Sequence, residues 1–201
     1  MKSILPDALA DTVTLKRRAY KLNTDVWHVM RALDVAHDPE LMGPQQDAAA
    51  VWYLYRFPRP PRRMHRQAVE AAFALINEPG PYRVPKGGPR ALSLTQDAGL
   101  ICAAFMQLYG IDLIKESTRL DWRLFQAYLS GITDATRLGE IMSIRTQKMP
   151  KRTQYNGAQI AELQRLKSIY AITDNAAHGQ SFEDGLAKMV QILTDMAQRN
   201  G

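Results

Sequence analysis

The 201-residue sequence contains one cysteine and no long apolar run. Cys102 has no partner for an internal disulfide, so we expect a reducing compartment and interpret Cys102 as a core residue. The longest run without charge or strong polarity, residues 98–106, is far shorter than the roughly 20 residues that a membrane-spanning helix needs. The first residues, MKSILPDALAD, lack the apolar stretch of a signal peptide. We therefore expect no membrane partner and no export.

Residue patterns that carry catalysis or bind a cofactor are also lacking. The histidines are scattered without metal-ligand spacing, and no serine or cysteine stands in a nucleophile motif. The glycine-rich stretch EPGPYRVPKGGP does not follow the phosphate-loop pattern, because Pro85 precedes Lys86 and Gly87 follows it. We therefore expect no enzyme, no cofactor and no metal site.

The positive charge of the chain is concentrated in one segment. The 26 basic and 20 acidic residues leave a net charge of +6, and residues 56–90 hold eight basic residues against two acidic ones. This segment begins with a basic patch: Arg56, Arg59, Arg62, Arg63 and Arg66. Three interpretations are open, namely a solvated loop and helical turn, a contact with an acidic protein, and a contact with nucleic acid. Nucleic acid is the least favoured, because the arginines lack a series of interleaved aromatic residues for base stacking.

The first half of the chain predicts a short β-hairpin followed by helices. Residues 12–22 contain two strand-like pieces around a basic turn. Apolar residues at helical spacing then predict helices that begin near Thr24, Pro44 and Pro61, with Trp27 and Trp52 on their inward faces. The segment 78–89 contains seven Gly or Pro residues in twelve, so it is the best candidate for a linker or long loop.

The second half of the chain contains an arginine on an apolar helix face. A strongly apolar helix is predicted to end at Gly110, and two shorter apolar-periodic segments follow on either side of Gly131. Arg145 lies on the apolar stripe of the second segment. Its stem either extends to solvent or places the guanidinium inward, where it would need a carboxylate. Asp112 and Asp121 are the nearest candidates.

The C-terminal segment predicts an amphipathic helix after a polar spacer. Its apolar residues follow one another at spacings of four and three and form a narrow seam: Phe182, Leu186, Met189, Leu193 and Met196. The seam either packs back on the protein or binds another helix, from a partner or from a second copy of the chain.

Several motifs in order resemble the bacteriophage Gp-fifteen family of long-tailed phages. They are YKLNTDVW at 20–27, then QDAGLICAAFMQLYGIDLI, then DWRLFQAYLSGITDATRLGEIMSIRTQK. The residues that we take as a structural signature of this family are Asp97, Tyr109, Asp112, Trp122, Phe125 and Arg145. Two features depart from the family pattern, namely the basic Pro/Arg and Gly/Pro insert between residues 56 and 90 and the extension after residue 172.

The resemblance implies a role in building a phage tail. Genes of this family look like tail-assembly chaperone genes between the tail-tube and tape-measure genes, so the implied partner is the tape-measure protein or another tail protein in the host cytoplasm. A tape-measure protein exposes long apolar faces until tube subunits cover it, and such faces aggregate. Two alternatives stay open: a structural tail component retained in the virion, and a basic nucleic-acid-binding protein that uses residues 56–90.

The fold that we predict is mainly α, with a short N-terminal β-hairpin and about seven or eight helices. Residues 1–78 would hold the hairpin and the first helices, and 79–92 would form a linker or loop. Residues 93–172 would form a helical half with the family signature, and 173–201 the amphipathic extension. Whether the two halves share one core is open.

Overall fold

A computed structural model describes residues 9–77 and 89–173. The described chain is mainly helical and contains a single two-stranded antiparallel sheet, which confirms the predicted fold class. The strands are β1 (Thr12–Leu15) and β2 (Arg18–Lys21). The helices are α1 (Val26–Ala36), α2 (Gly43–Leu54), α3 (His65–Ile76), α4 (Ala98–Tyr109), α5 (Leu113–Glu116), α6 (Trp122–Ser130), α7 (Arg137–Thr146) and α8 (Gly157–Ile169), with a 3₁₀ turn at Arg62–Met64.

The predicted hairpin is present, and its turn has an uncommon composition. Val13 pairs with Tyr20, and both point into the core. The two turn residues, Lys16 and Arg17, have φ angles of 45° and 68°. Positive φ at both central positions is the geometry of a tight hairpin turn, which asparagine and glycine adopt most easily. Two cations therefore occupy positions that disfavour long L-side chains.

The described residues fall into two compact units, and the first comprises residues 9–77 and 117–125. In this unit α1 packs against α2, α2 packs against α3, and α3 contacts β1. Helix α1 is capped by Asp25, whose side chain accepts from the backbone N–H of His28 at 3.1 Å, one residue after the position near which the sequence predicts the helix to begin, Thr24. Helix α2 begins at Gly43 with Pro44 in its first turn, as predicted.

The two tryptophans of the first helices do not lie inward as predicted. Trp27 is 40% exposed and Trp52 is 61% exposed. The buried stripe of α2 is formed by Ala50, Val51 and Leu54 instead. Because the small and medium side chains of this stripe fill the space between packed helices, the bulkier indole of Trp52 lies outside it.

The second unit comprises residues 89–116 and 126–173. Helix α4 packs against α5 and α7, and α7 packs against α8. Gly110 ends α4 in the left-handed region with φ 66°, which confirms the predicted stop. Cys102 is only partly buried and so lies at the edge of the core rather than within it. The predicted division at residues 79–92 stays a prediction, because most of that segment lies outside the described residues.

Candidate functional site

Arg145 of α7 points into the second unit and pairs with Asp97 at the start of α4. Its two terminal nitrogens donate to the two carboxylate oxygens at 2.6 and 2.9 Å. The side chains are only 6% and 3% exposed. The backbone N–H of Ser93 also donates to this carboxylate, at 2.9 Å. A bidentate pair of this kind is short and geometrically specific. The inward position of Arg145 agrees with its place on the apolar stripe, whereas Asp112 and Asp121 were the wrong partners.

The two carboxylates that the sequence favoured have nearer cations. Asp112 pairs with Lys115 at 3.0 Å, and Asp121 pairs with Arg123 at 2.9 Å. Asp112 also accepts hydrogen bonds from backbone N–H groups in the first turn of α5, as a helix N-cap residue does. Asp97 was missed because it lies 48 residues from Arg145 in the chain.

Arg145 also joins the ends of two helices. Its Nε donates to the carbonyl of Tyr170 at 2.6 Å, and one terminal nitrogen donates to the carbonyl of Ala91 at 3.0 Å. In return, the ammonium of Lys167 in the last turn of α8 donates to the carbonyl of Arg145 at 2.7 Å. Helix C-termini leave carbonyls without partners and favour nearby cations, so α7 and α8 cap each other.

A cavity of about 270 Å³ adjoins this network and is lined by Arg90, Arg145, Lys167, Ala171 and Ile172. Arg145 and Lys167 use their donors on helix carbonyls and on Asp97. We therefore interpret these two cations of the lining as structural.

The pKa of Asp97 lies below its usual range. Burial alone would raise it, but the hydrogen bonds from Arg145 and from the N–H of Ser93, with the charges of Arg145 and Arg90, outweigh burial. Asp97 is therefore ionised at neutral pH, and the pair is a true ion pair.

The other signature residues make structural contacts within their units. The hydroxyl of Tyr109 donates to the carbonyl of Tyr128 at 2.7 Å, and a Cβ at Gly131 would lie 2.8 Å from that hydroxyl. The glycine therefore leaves room for this contact. In the first unit, Trp122 stacks on Phe125 with ring centroids 5.2 Å apart, and both are buried. These contacts stabilise the packing within each unit.

The basic patch lies in the first unit and is only partly neutralised. Arg66 pairs with Glu70 at 2.9 Å, and Nε of Arg56 donates to the side chain of Asn23 at 3.1 Å. Within the described part of the chain, no carboxylate pairs with the three remaining arginines. These are Arg59, Arg62 and Arg63.

The structure brings an aromatic side chain to the basic patch. The guanidinium of Arg59 lies over the Trp52 ring, 3.9 Å from its centroid. Phe57, between two arginines, is 88% exposed. Trp52 was missed as a neighbour because helical periodicity placed it in the core. Trp52 lies in the last turn of α2, a few residues before the patch begins, and this closeness in sequence could have indicated the contact.

Helix α4 in the second unit has an uncharged surface. Its sequence, AGLICAAFMQLY, contains no charged residue. Ile101 and Phe105 are buried, but Met106 faces solvent, and so does Ile114 on α5. Apolar helices are normally buried on all sides. The solvent-facing side of α4 is therefore a candidate protein contact.

Three further expectations concern the C-terminal seam, metal binding and membrane spans. The C-terminal seam, Phe182, Leu186, Met189, Leu193 and Met196, lies outside the described residues. Between residues 9 and 77 and between 89 and 173, no three potential metal ligands come together. The same ranges contain no helix with the length and hydropathy to cross a membrane.

Comparison with known sequence families identifies a relationship over most of the chain. The sequence model of the family described as Bacteriophage Gp15 protein matches residues 5–172, which is most of the chain. No curated protein and no solved structure matches the sequence.

Proposed function

Because the chain belongs to the bacteriophage Gp15 protein family, we propose that it is a tail-assembly chaperone of the phage. In this role it binds the tape-measure protein in the host cytoplasm and keeps it soluble until the tail tube polymerises. The role requires binding surfaces and no catalytic group. Binding to the native partner shifts that partner away from aggregation by mass action.

The observation that supports this proposal is the uncharged, solvent-facing side of α4. Met106, on this side, is 50% exposed. An exposed apolar side of this kind fits the apolar face of a partner helix. Methionine adapts to irregular neighbours, so one surface could contact many different helical segments.

The size of this surface suits reversible binding. Fully burying one such side chain contributes about 1.5–3 kcal/mol, and Met106 is already half buried. Burying the exposed half of Met106 would therefore contribute about 0.8–1.5 kcal/mol before the cost of association. Many weak contacts along a long chain could keep it soluble and still be displaced by tube subunits.

Co-expression tests the proposal. The tape-measure protein of the same phage genome should be soluble and co-purify with this protein. Met106→Glu should reduce the co-purified amount several-fold, since it places a charge in an apolar contact. Ser143→Glu adds the same charge to an exposed position of α7 and should leave the amount unchanged. A tape-measure protein that stays insoluble and unbound contradicts the chaperone role.

The structural tail component is distinguished by a second measurement. A chaperone leaves before the tail is finished, so purified phage particles should lack the protein. A fixed number of copies per particle, found by quantitative mass spectrometry, would favour the tail component instead.

A further inference from the structure

The aromatic end of the basic patch holds one arginine in place. Trp52 is 61% exposed, yet the guanidinium of Arg59 covers one face of its ring at 3.9 Å. Nε of Arg59 is buried and has no hydrogen-bond partner. Leaving a buried donor unsatisfied is costly, so the stack that holds Arg59 there compensates for part of that cost. The guanidinium is thereby ordered before any partner arrives.

The charge beside this stack lacks compensation. Residues 56–66 contain five arginines and no acidic residue. Arg62 and Arg63 are exposed and follow Arg59 closely, and among the described residues no carboxylate pairs with any of the three. Like charges in close proximity repel one another, and a bound anion would relieve that repulsion.

The surroundings favour a short acidic segment over a nucleic acid. Asp11 pairs with Lys21, whose carbonyl accepts from the backbone N–H of Arg56, and Glu70 pairs with Arg66. A nucleic acid carries closely and regularly spaced phosphates, so a bound strand would meet these carboxylates. The Trp52 face under Arg59 is also closed to base stacking.

A protein segment can match both parts of the surface. A guanidinium presents its donors in a fork that fits a carboxylate, and Phe57 offers an exposed ring to an apolar side chain. Tryptophan and arginine are also the residues that carry most binding energy at protein interfaces.

We propose that Trp52, Phe57, Arg59, Arg62 and Arg63 form a docking surface for a short acidic protein segment that also carries an apolar side chain. The carboxylates of the segment meet the arginines, and its apolar side chain meets Phe57. This surface belongs to the first unit. The proposal does not depend on α4, on the tape-measure protein or on a chaperone role.

Fluorescence anisotropy with labelled probes tests the proposal. The probes are a peptide of about twelve residues rich in Asp and Glu with one Phe, the same peptide with Phe replaced by Ser, and a single-stranded DNA of equal charge. The Phe peptide should bind several-fold more tightly than either of the others at physiological salt. Arg62→Glu with Arg63→Glu should weaken its binding at least about tenfold, since charge reversal replaces attraction by repulsion.

Two matched variants separate the parts of the surface. Phe57→Ser should weaken binding of the Phe peptide and leave binding of the Ser peptide unchanged. Arg59→Lys keeps the charge but loses the forked guanidinium donors and the stacking on the Trp52 ring. It should therefore weaken the binding of both peptides several-fold. Arg152→Glu, at an exposed arginine of the other unit, is the control and should change neither. Circular dichroism verifies that each variant is folded.

Two results would overturn the proposal. One is DNA binding as tight as that of the Phe peptide and equally sensitive to the arginine substitutions, which would make the surface a general polyanion site. The other is the absence of peptide binding at about millimolar concentration to the folded wild-type protein.

Discussion

Arg145→Met should strongly destabilise the protein. The substitution keeps most of the buried stem but removes the guanidinium, so Asp97 is left as a buried carboxylate without its cation. Removing one partner of a buried ion pair costs about 3–5 kcal/mol. The carbonyls of Tyr170 and Ala91 also lose a donor. Because a domain has a total stability of about 5–15 kcal/mol, the loss should be large but measurable.

Urea denaturation followed by circular dichroism measures this loss. With a denaturant slope of about 2 kcal/mol per molar, a loss of about 4 kcal/mol lowers the unfolding midpoint by about 2 M. Arg152→Met is the matched control, since Arg152 is an exposed arginine of the same unit. The unfolding free energy of this control should differ from that of the wild type by no more than about 0.5 kcal/mol. A midpoint for Arg145→Met equal to that of this control would refute the reasoning.

The double variant Arg145→Met with Asp97→Asn tests the cause of the loss. Asparagine still accepts the hydrogen bond from Ser93 and carries no charge, so the double variant removes the uncompensated buried charge. It should be more stable than Arg145→Met alone by about 1–2 kcal/mol, which is an ordinary coupling energy between contacting residues. If the double variant is less stable than the single one, charge burial is not the cause.

The pH dependence supplies a further test. In the wild type the pKa of Asp97 is lowered from the ordinary value of 3.8, so the pair stabilises the fold above about pH 4 and this contribution is lost as the pH falls. In Arg145→Met, burial without the cation should raise the pKa of Asp97. Mild acid then neutralises the buried charge in the variant. The difference in unfolding free energy between wild type and variant should therefore shrink from pH 7 to pH 4, and a constant difference would contradict this account.

Three further predictions concern other positions. Gly139→Ala should cost about 1–3 kcal/mol in urea denaturation, because its Cβ would overlap a backbone carbonyl, whereas Gly157→Ala, with open space around it, should be neutral or slightly stabilising. Lys16→Asn with Arg17→Gly should raise the unfolding free energy by about 0.5–1 kcal/mol, because both turn residues have positive φ, and an unchanged thermal midpoint would contradict this. Leu193→Glu should reduce co-purification of the tape-measure protein several-fold if the C-terminal seam is a contact, and unaltered co-purification would remove the seam from the proposed interface.

Two surfaces with different chemistry lie on different units. The side of α4 that contains Met106 is uncharged, while the surface around Arg59 is cationic and aromatic. Variants in one unit can therefore be tested without altering the other surface. Loss of tape-measure binding in Met106→Glu with intact peptide binding would assign the two activities separately.

Local features of the structure could be predicted from the sequence. The hairpin, the stop of α4 at Gly110 and the start of α2 at Pro44 all follow from residues within a few positions of one another. Helical periodicity also placed Arg145 on the buried side of α7. Each of these depends on backbone geometry and on short-range alternation of apolar and polar residues, so neighbouring residues alone carry the information.

Partners in space could not be predicted in the same way. Asp97 rather than Asp112 or Asp121 pairs with Arg145 because the packing of α4 against α7 brings together residues 48 positions apart. Periodicity could not tell that Trp52 lies outside the stripe of α2, where its ring meets Arg59.

The sequence by itself determined the helical class, the turns and the family, since these follow from local preference and from motifs in order. Only the tertiary structure decided which charges are neutralised inside and which aromatic and basic side chains share a surface. The physical reason is that burial and pairing depend on how helices pack, and many packings are compatible with one pattern of periodicity.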